Sequence, residues 1–261
     1  MTRDEGTDAV AHNRAAWDRL VADGDEWTRP VSAEVIAAAR AGKWSVVLIG
    51  HEPVPREWFP TDMRDQHVLC LASGGGQQAP VLAAGGARIT SLDNSPRQLE
   101  QDRLVAERDG LEIGLELGDM RDLSRFDSAS FNLVFNPVSN LFCPDIDQVW
   151  RECYRVLRPG GLLLAGFMNP DIFIFDREAN DSRGELVVRH ALPYSDLTHL
   201  APSERDPDEP LEFSHTLGAQ IGGQLDAGFV ITGFREAPHH ADASARYMSG
   251  YFATRALKPV R

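Results

Sequence analysis

The stretch His67–Ser95, HVLCLASGGGQQAPVLAAGGARITSLDNS, constrains this chain more than any other. Val68–Ala72 is short, apolar and followed almost at once by glycines, the pattern of a strand buried on both faces. Gly74-Gly75-Gly76 then opens a turn in which main-chain N–H groups can approach a ligand with no side chain in the way. Gln77–Ala84 has the length of a short helix, Gly85-Gly86 closes it, and Ala87–Leu92 is a second apolar run that ends at Asp93. The result is a β-α-β unit with a carboxylate at the tip of its second strand, about 20 residues past the glycines, where a ribose diol would be gripped. A glycine turn after a strand is common by itself. The acid at Asp93 is what separates a nucleoside-binding loop from a plain tight turn.

At 261 residues the chain can bury the core of one large α/β domain, or of two small ones. Its 26 Lys+Arg against 39 Asp+Glu leave a net charge of −13, and no basic block offsets it. Such a surface repels phosphate backbones, so nucleic acid and anionic membrane are poor partners. Cys70, Cys143 and Cys153 form no C-x-x-C pair, and Cys70 and Cys153 fall on predicted core faces as buried free thiols. The acidic start MTRDEGTD is unlike a signal peptide, and no apolar run approaches the ~20 residues that span a bilayer. A cytoplasmic protein is expected.

Periodicity predicts a helix over Val10–Ala22, and Ser32 caps another that Gly42 ends, with Val31 and Ile36 placed as a hydrophobic staple. Ser45–Ile49 is a short strand, and Pro53, Pro55 and Pro60 extend the connector that follows. Residues 1–60 are thus expected as an N-terminal helical cap, and 61–261 as the main domain. Four tryptophans lie in the cap. Trp44 and Trp58 are taken as packing residues, whereas Trp17 and Trp27 could equally pack or form an aromatic lid. Beyond Asp93, Ser95-Pro96-Arg97-Gln98 starts a helix over Pro96–Asp109, and Glu112–Leu117 is a third strand ending at Gly118-Asp119-Met120. Phe131–Phe135 is a fourth strand, followed by Asn136-Pro137-Val138-Ser139-Asn140. A helix from Asp145 to Leu157 is broken by Arg158-Pro159-Gly160-Gly161 before a fifth strand, Leu162–Phe167. Residues 170–214 form an irregular insertion suited to covering a substrate. Thr216–Ala227 is a predicted helix, and Phe229–Phe234 with Tyr251–Ala256 a predicted antiparallel pair.

Four segments recur in order at the strand ends: Val68–Gly76, Leu92-Asp93, Gly118-Asp119-Met120 and Arg155-Val156-Leu157-Arg158-Pro159-Gly160-Gly161. Together they resemble the class I S-adenosylmethionine-dependent methyltransferases, in particular the methyltransferase-11-like small-molecule enzymes. The resemblance covers Val68–Phe167 well and Thr216–Leu257 loosely. It implies a Rossmann-like α/β fold: a mainly parallel seven-stranded sheet flanked by helices. One departure stands out, because Cys70 occupies the place of the acid usual in the first strand, and Ala72 and Ser73 replace a glycine and a small residue. Alanine serves there provided its φ stays negative.

By position, the resemblance implies that the backbone of Ala72, Ser73 and Gly74 faces the methionine moiety of the cofactor. Asp93 would accept from both ribose hydroxyls, with Asn94 and Gln98 bordering the adenosine. Asp119 would accept from the adenine amino group and the Met120 N–H would donate to the ring. Asn136 to Val138 would lie beneath the methionine end. The N-terminal cap matches nothing general in the family, and the aromatic lid of Trp27 or Trp17 over the sulfonium is a reading of the residues alone. Asn136-Pro137-Val138-Ser139 lacks the second proline and the aromatic that would stack a flipped base, which argues against a nucleic-acid acceptor. The expected activity is in-line methyl transfer to a small molecule, driven by positioning and exclusion of water. His12, Tyr194, His215 and the Ser139/Asn140 pair are candidate bases for an acceptor that arrives protonated. His239-His240 lacks a third ligand at metal spacing, so no metal is expected. A nicotinamide-dependent oxidoreductase and a catalytically silent S-adenosylmethionine-binding module are the alternatives. The oligomeric state is not legible.

Overall fold

The apolar runs that the glycines delimit are strands. In chain order these are β1 (Val47–Ile49), β2 (Glu52–Pro53), β3 (His67–Leu71), β4 (Arg88–Asp93), β5 (Ile113–Leu117), β6 (Phe131–Asn136), β7 (Leu157–Met168), β8 (Val230–Ala237) and β9 (Tyr251–Leu257). The computed structural model of the chain describes residues 7–239 and 242–260, so His240 and the first six residues lie outside it. β1 and β2 pair with each other, and the other strands make one sheet in the order β5-β4-β3-β6-β7-β9-β8. Every pairing from β5 to β7 is parallel, while β9 runs antiparallel to both β7 and β8. This is the expected Rossmann-like, mainly parallel sheet, and its strand order reverses between β3 and β6, where ligands of such sheets bind.

Strand alternation divides the core in two. Val68 and Cys70 face one layer with Ile89, Leu133, Phe135, Ile36 and Leu82. Leu69 and Leu71 face the other with Val134, Leu163, Trp150, Cys153 and Val156. Helices α2 (Ala33–Arg40), α3 (Gln78–Ala84) and α4 (Pro96–Asp109) cover the first, and α5 (Ile146–Val156) and α8 (Gly223–Asp226) the second. Ser32, Ser95 and Asp145 cap α2, α4 and α5 as their spacing predicts. No described helix is long and apolar enough to cross a membrane.

Three segments depart from expectation for local reasons. Arg158–Gly161 does not precede the strand but is looped out of it, so Phe131 pairs with Leu157 and Leu133 with Leu162. Gly160 takes φ +80° to do so, and its N–H donates to the Lys258 carbonyl at 2.8 Å. The predicted helix over Thr216–Ala227 opens as a wide π-turn, Gly218–Gly222, before α8. Trp150 Nε1 donates to the Ala219 carbonyl there, and three glycines weaken the regular ladder. Residues 170–214, irregular by sequence, hold α6 (Arg177–Arg183) and α7 (Asp196–His199).

The glycine turn is strapped by two carboxylates. Gly74 N–H donates to Asp93 Oδ2 at 3.0 Å, and Gly76 N–H to Asp102 Oδ1 at 2.8 Å. Asp102, on α4, is fully buried, and its other oxygen accepts from Ser91 Oγ at 2.7 Å. It therefore supplies from a helix the loop-holding carboxylate that Cys70 does not supply from the strand. Ala72 corrects another expectation, for its φ is +47°, in the left-handed region. The turn survives the alanine by accepting strain, which costs about 1–2 kcal/mol.

Two outcomes follow for stability. Ala72→Gly should raise unfolding free energy by about 1 kcal/mol, less the extra freedom glycine brings to the unfolded chain, as read by denaturant titration. Burial pushes the Asp102 carboxyl up to about 7, so between the ordinary carboxylate range and pH 7 the folded protein keeps a proton that the unfolded chain has released. Its contribution to stability is thus greatest in acid and is lost as pH rises to about 7. Asp102→Asn should flatten that dependence, whereas Asp102→Ala, leaving Gly76 N–H and Ser91 Oγ unpaired, should cost about 2–3 kcal/mol in acid, a cost that shrinks as pH rises to about 7.

Candidate functional site

A cavity of about 490 Å³ opens over the carboxyl ends of β3, β4, β5 and β6, where the strand order reverses. Its floor is Ala72, Ser73 and Gly74. A side chain at Gly74 would run into Gln98 Cβ at 2.7 Å, so only glycine lets α4 sit this close to the turn. Asp93 stands at the tip of β4, half-buried, with Oδ1 accepting from Ser95 N–H at 2.9 Å. Burial pushes its carboxyl above the usual range, and the N–H groups of Ser95, Gly74 and Asn94 partly pull it back. Two buried polar atoms on the lining, Ser73 Oγ and Gln98 Oε1, have no hydrogen-bond partner among the described residues. Groups of that kind await a ligand's donors.

Helix α1 (Ala9–Asp23), capped by Asp8, roofs this end. Asn94 Nδ2 donates to the Val10 carbonyl at 2.8 Å, Arg14 reaches back to Asn94, and Ser95 Oγ donates to Asp18 at 2.6 Å. Asn13 is buried and ties α1 to both Phe142 and Leu211. Trp17 and Trp27 both line the cavity, Trp17 edge-on to Phe142 and Trp27 stacked on His51, while Trp44 and Trp58 pack beneath. At the end of β5, Asp119 and Met120 line the cavity too. The Asp119 carboxylate is already gripped by Arg121, whose Nη2 lies at 2.6 Å.

The remaining expected residues divide. Val138 and Tyr194 line the cavity. Asn136 does not; it is fully buried behind the wall, where Nδ2 links Leu71 O and Ser139 Oγ, each at 2.9 Å, across the β3–β6 boundary. His12 and His215 are also absent from the lining. His12 Nε2 meets the Glu209 carbonyl at 2.9 Å, and His215 Nε2 the Cys143 carbonyl at 2.7 Å, so each braces main chain. The Tyr194 hydroxyl donates to Asp196 at 2.6 Å, and burial raises its pKa well above the ordinary phenol value. Cys143 lines the cavity, but burial pushes its thiol up to about 12, which rules it out as a thiolate near neutrality.

Sequence reasoning expected residues 170–214 to cover the substrate but singled out only Tyr194 among the residues of the far end. There Met168, Ile172, Phe173 and Phe175 continue the cavity into the insertion, and Arg177, Asp181, Glu212 and Asp242 bring charge to it. The one readable signal was the alternation Leu211-Glu212-Phe213, in which the two apolar residues are buried and the acid points the other way, into the cavity.

Comparison with known proteins agrees with this geometry. Residues 69–165 match the family described as a methyltransferase domain. The chain is 47% identical over 254 residues to the "Uncharacterized methyltransferase YbaJ" of Bacillus subtilis, covering 95% of this chain and 98% of that one. It is 33% identical over 119 residues to a ubiquinone biosynthesis O-methyltransferase of Methylocella silvestris, spanning 46% of that enzyme. Among solved structures, an S-adenosylmethionine-dependent methyltransferase from Mesorhizobium loti shares the fold with a TM-score of 0.59 at 18% identity, over 77% of this chain and 94% of that one. Identity so high over nearly the whole of both chains removes the oxidoreductase alternative, and the chain belongs to the class I S-adenosylmethionine-dependent methyltransferases.

Proposed function

We propose that the protein transfers a methyl group to a small-molecule acceptor by in-line displacement, with the cofactor held at the sheet end of the cavity and the acceptor at the insertion end. The observation that carries this reading is the pairing of Asp93 with the glycine turn at the sheet's switch point, beside the unpartnered Ser73 Oγ and Gln98 Oε1. S-adenosylmethionine supplies a methyl group activated on a sulfonium. Asp93 would accept from the two ribose hydroxyls, exchanging water for charge-assisted hydrogen bonds. Asn94 and Gln98 would flank the adenosine, and Asp119 would take the adenine amino group by sharing it with Arg121. Ala72 to Gly74 and Val138 would border the methionine end, and Trp27 and Trp17 would shield it. What these residues contribute is alignment and a dry site.

The concave cavity, roofed by α1, and the net charge of −13 favour a small molecule over nucleic acid. The partial match to an enzyme named for ubiquinone biosynthesis supports the same acceptor class. Three buried free cysteines fit a reducing, cytoplasmic setting.

Calorimetry with S-adenosylmethionine, S-adenosylhomocysteine and NADH tests the cofactor half. Both adenosyl ligands should bind and NADH should not. Asp93→Ala should weaken S-adenosylhomocysteine about 10- to 100-fold, as for the loss of charged hydrogen bonds. Because burial raises the Asp93 carboxyl, wild-type affinity should decline on acidification from a higher pH than an ordinary aspartate would give, and the variant should lack that decline. Equal affinity in Asp93→Ala would remove Asp93 from the site.

A further inference from the structure

Resting on the methyl-transfer reading above, we infer that the acceptor is an amine, protonated in solution and carried on an apolar or aromatic body, and that Glu212 receives its ammonium group.

The insertion end of the cavity is built for that shape. Phe173 and Tyr194 stack with ring centres 5.5 Å apart, and Ile172 and Met168 extend the apolar wall toward Val138. Among the described residues, three carboxylates, Asp181, Glu212 and Asp242, line this end against a single guanidinium, Arg177, together with the imidazoles of His190, packed on Tyr194, and His239. They are not equivalent. Asp242 has both oxygens engaged, by Asn180 Nδ2 at 2.7 Å and Ser244 N–H at 2.6 Å. The Asp181 side chain is 70% exposed and faces Arg177 at 3.7 Å. Glu212 is the sheltered one, with its side chain 21% exposed, and Arg177 Nη1 stands 3.6 Å away, beyond hydrogen-bond distance.

Glu212 is also held in place. Its N–H donates to Asp196 Oδ2 at 2.7 Å, while Asp196 Oδ1 takes the Tyr194 hydroxyl at 2.6 Å. Asp196 thus fixes the carboxylate's backbone and one ring of the aromatic wall together. A cation entering here finds a sheltered carboxylate and ring faces that favour positive charge. An anionic acceptor, a carboxylate or a phenolate, would meet three negative groups around one positive.

The chemistry balances without a further reactant. The ammonium gives a proton to the Glu212 carboxylate, which frees the nitrogen lone pair. The new N–C bond forms as the C–S bond breaks, its electron pair remaining on sulfur as the thioether. The product leaves as a methylated ammonium, and Glu212 returns its proton to water. Burial pushes the Glu212 carboxyl up to about 7, opposed by Arg177 and reinforced by Asp196, Glu209 and Asp181, which places it where it can take and release a proton near neutrality.

The test uses three probes that share a phenylethyl body, 2-phenylethylamine, 2-phenylethanol and 3-phenylpropionate, titrated by calorimetry into the 261-residue protein saturated with S-adenosylhomocysteine. The amine should bind at least tenfold more tightly than the alcohol or the acid, and its affinity should rise as pH increases through about 7. Glu212→Gln should weaken the amine at least tenfold and abolish that rise, while S-adenosylhomocysteine affinity stays unchanged and so shows the variant folded. No preference for the amine, including no measurable binding of it, preference for the acid, or a pH rise that persists in Glu212→Gln would each overturn the amine assignment with methyl transfer left standing. Failure of the adenosyl ligand itself to bind would overturn the underlying reading as well.

Discussion

Asp102 is sealed inside the molecule, and the sheet end of the cleft hangs on it. One of its oxygens holds Gly76 N–H and the other Ser91 Oγ, so the glycine turn, β4 and α4 are locked to one another at a single buried point. Related enzymes are expected to place an acid in the first strand for this work; here that position is Cys70, fully buried beside Asp102. The loop is restrained here from the helix, through Asp102. Ala72 bears the remaining strain at φ +47°, and Asp93 fastens the turn from the opposite side through Gly74.

From that point outward the cavity has two differently built halves. The sheet half is made of strand tips, whose positions follow from parallel register and leave little freedom. The insertion half is made of short helices and loops that hold one another through local hydrogen bonds, Asp196 to Tyr194 and Glu212, Asn180 to Asp242. A common cofactor needs the first kind of construction, and an individual acceptor the second. Helix α1 belongs to both, because Asn13 binds the insertion at Leu211 while Val10 and Arg14 bind Asn94.

Much of the sheet half was legible in the sequence, because buried strands, glycine turns and helix caps are local patterns. The run Val68–Ala72, the acid at Asp93 and the Ser95 cap each say where the chain turns and which way a side chain points. Ala72 was misjudged because sequence reports residue type and not the sign of φ. His12 and His215 looked available because nothing local shows that each will spend its ring on a distant carbonyl, Glu209 or Cys143. Asn136 lay in the right segment but on its inner face, across to Leu71. Glu212 went unnoticed for the converse reason: its partners Arg177 and Asp196 are remote in sequence, and only the fold assembles them.

The measurement that bears most directly on the central claim is a crystal structure of the protein with S-adenosylhomocysteine. The ribose hydroxyls should rest on the Asp93 carboxylate, the adenine should lie between Asp119 and Gln98, and the sulfur should face the chamber of Phe173, Tyr194 and Glu212. A ligand bound elsewhere, or a ribose that makes no contact with Asp93, would contradict it.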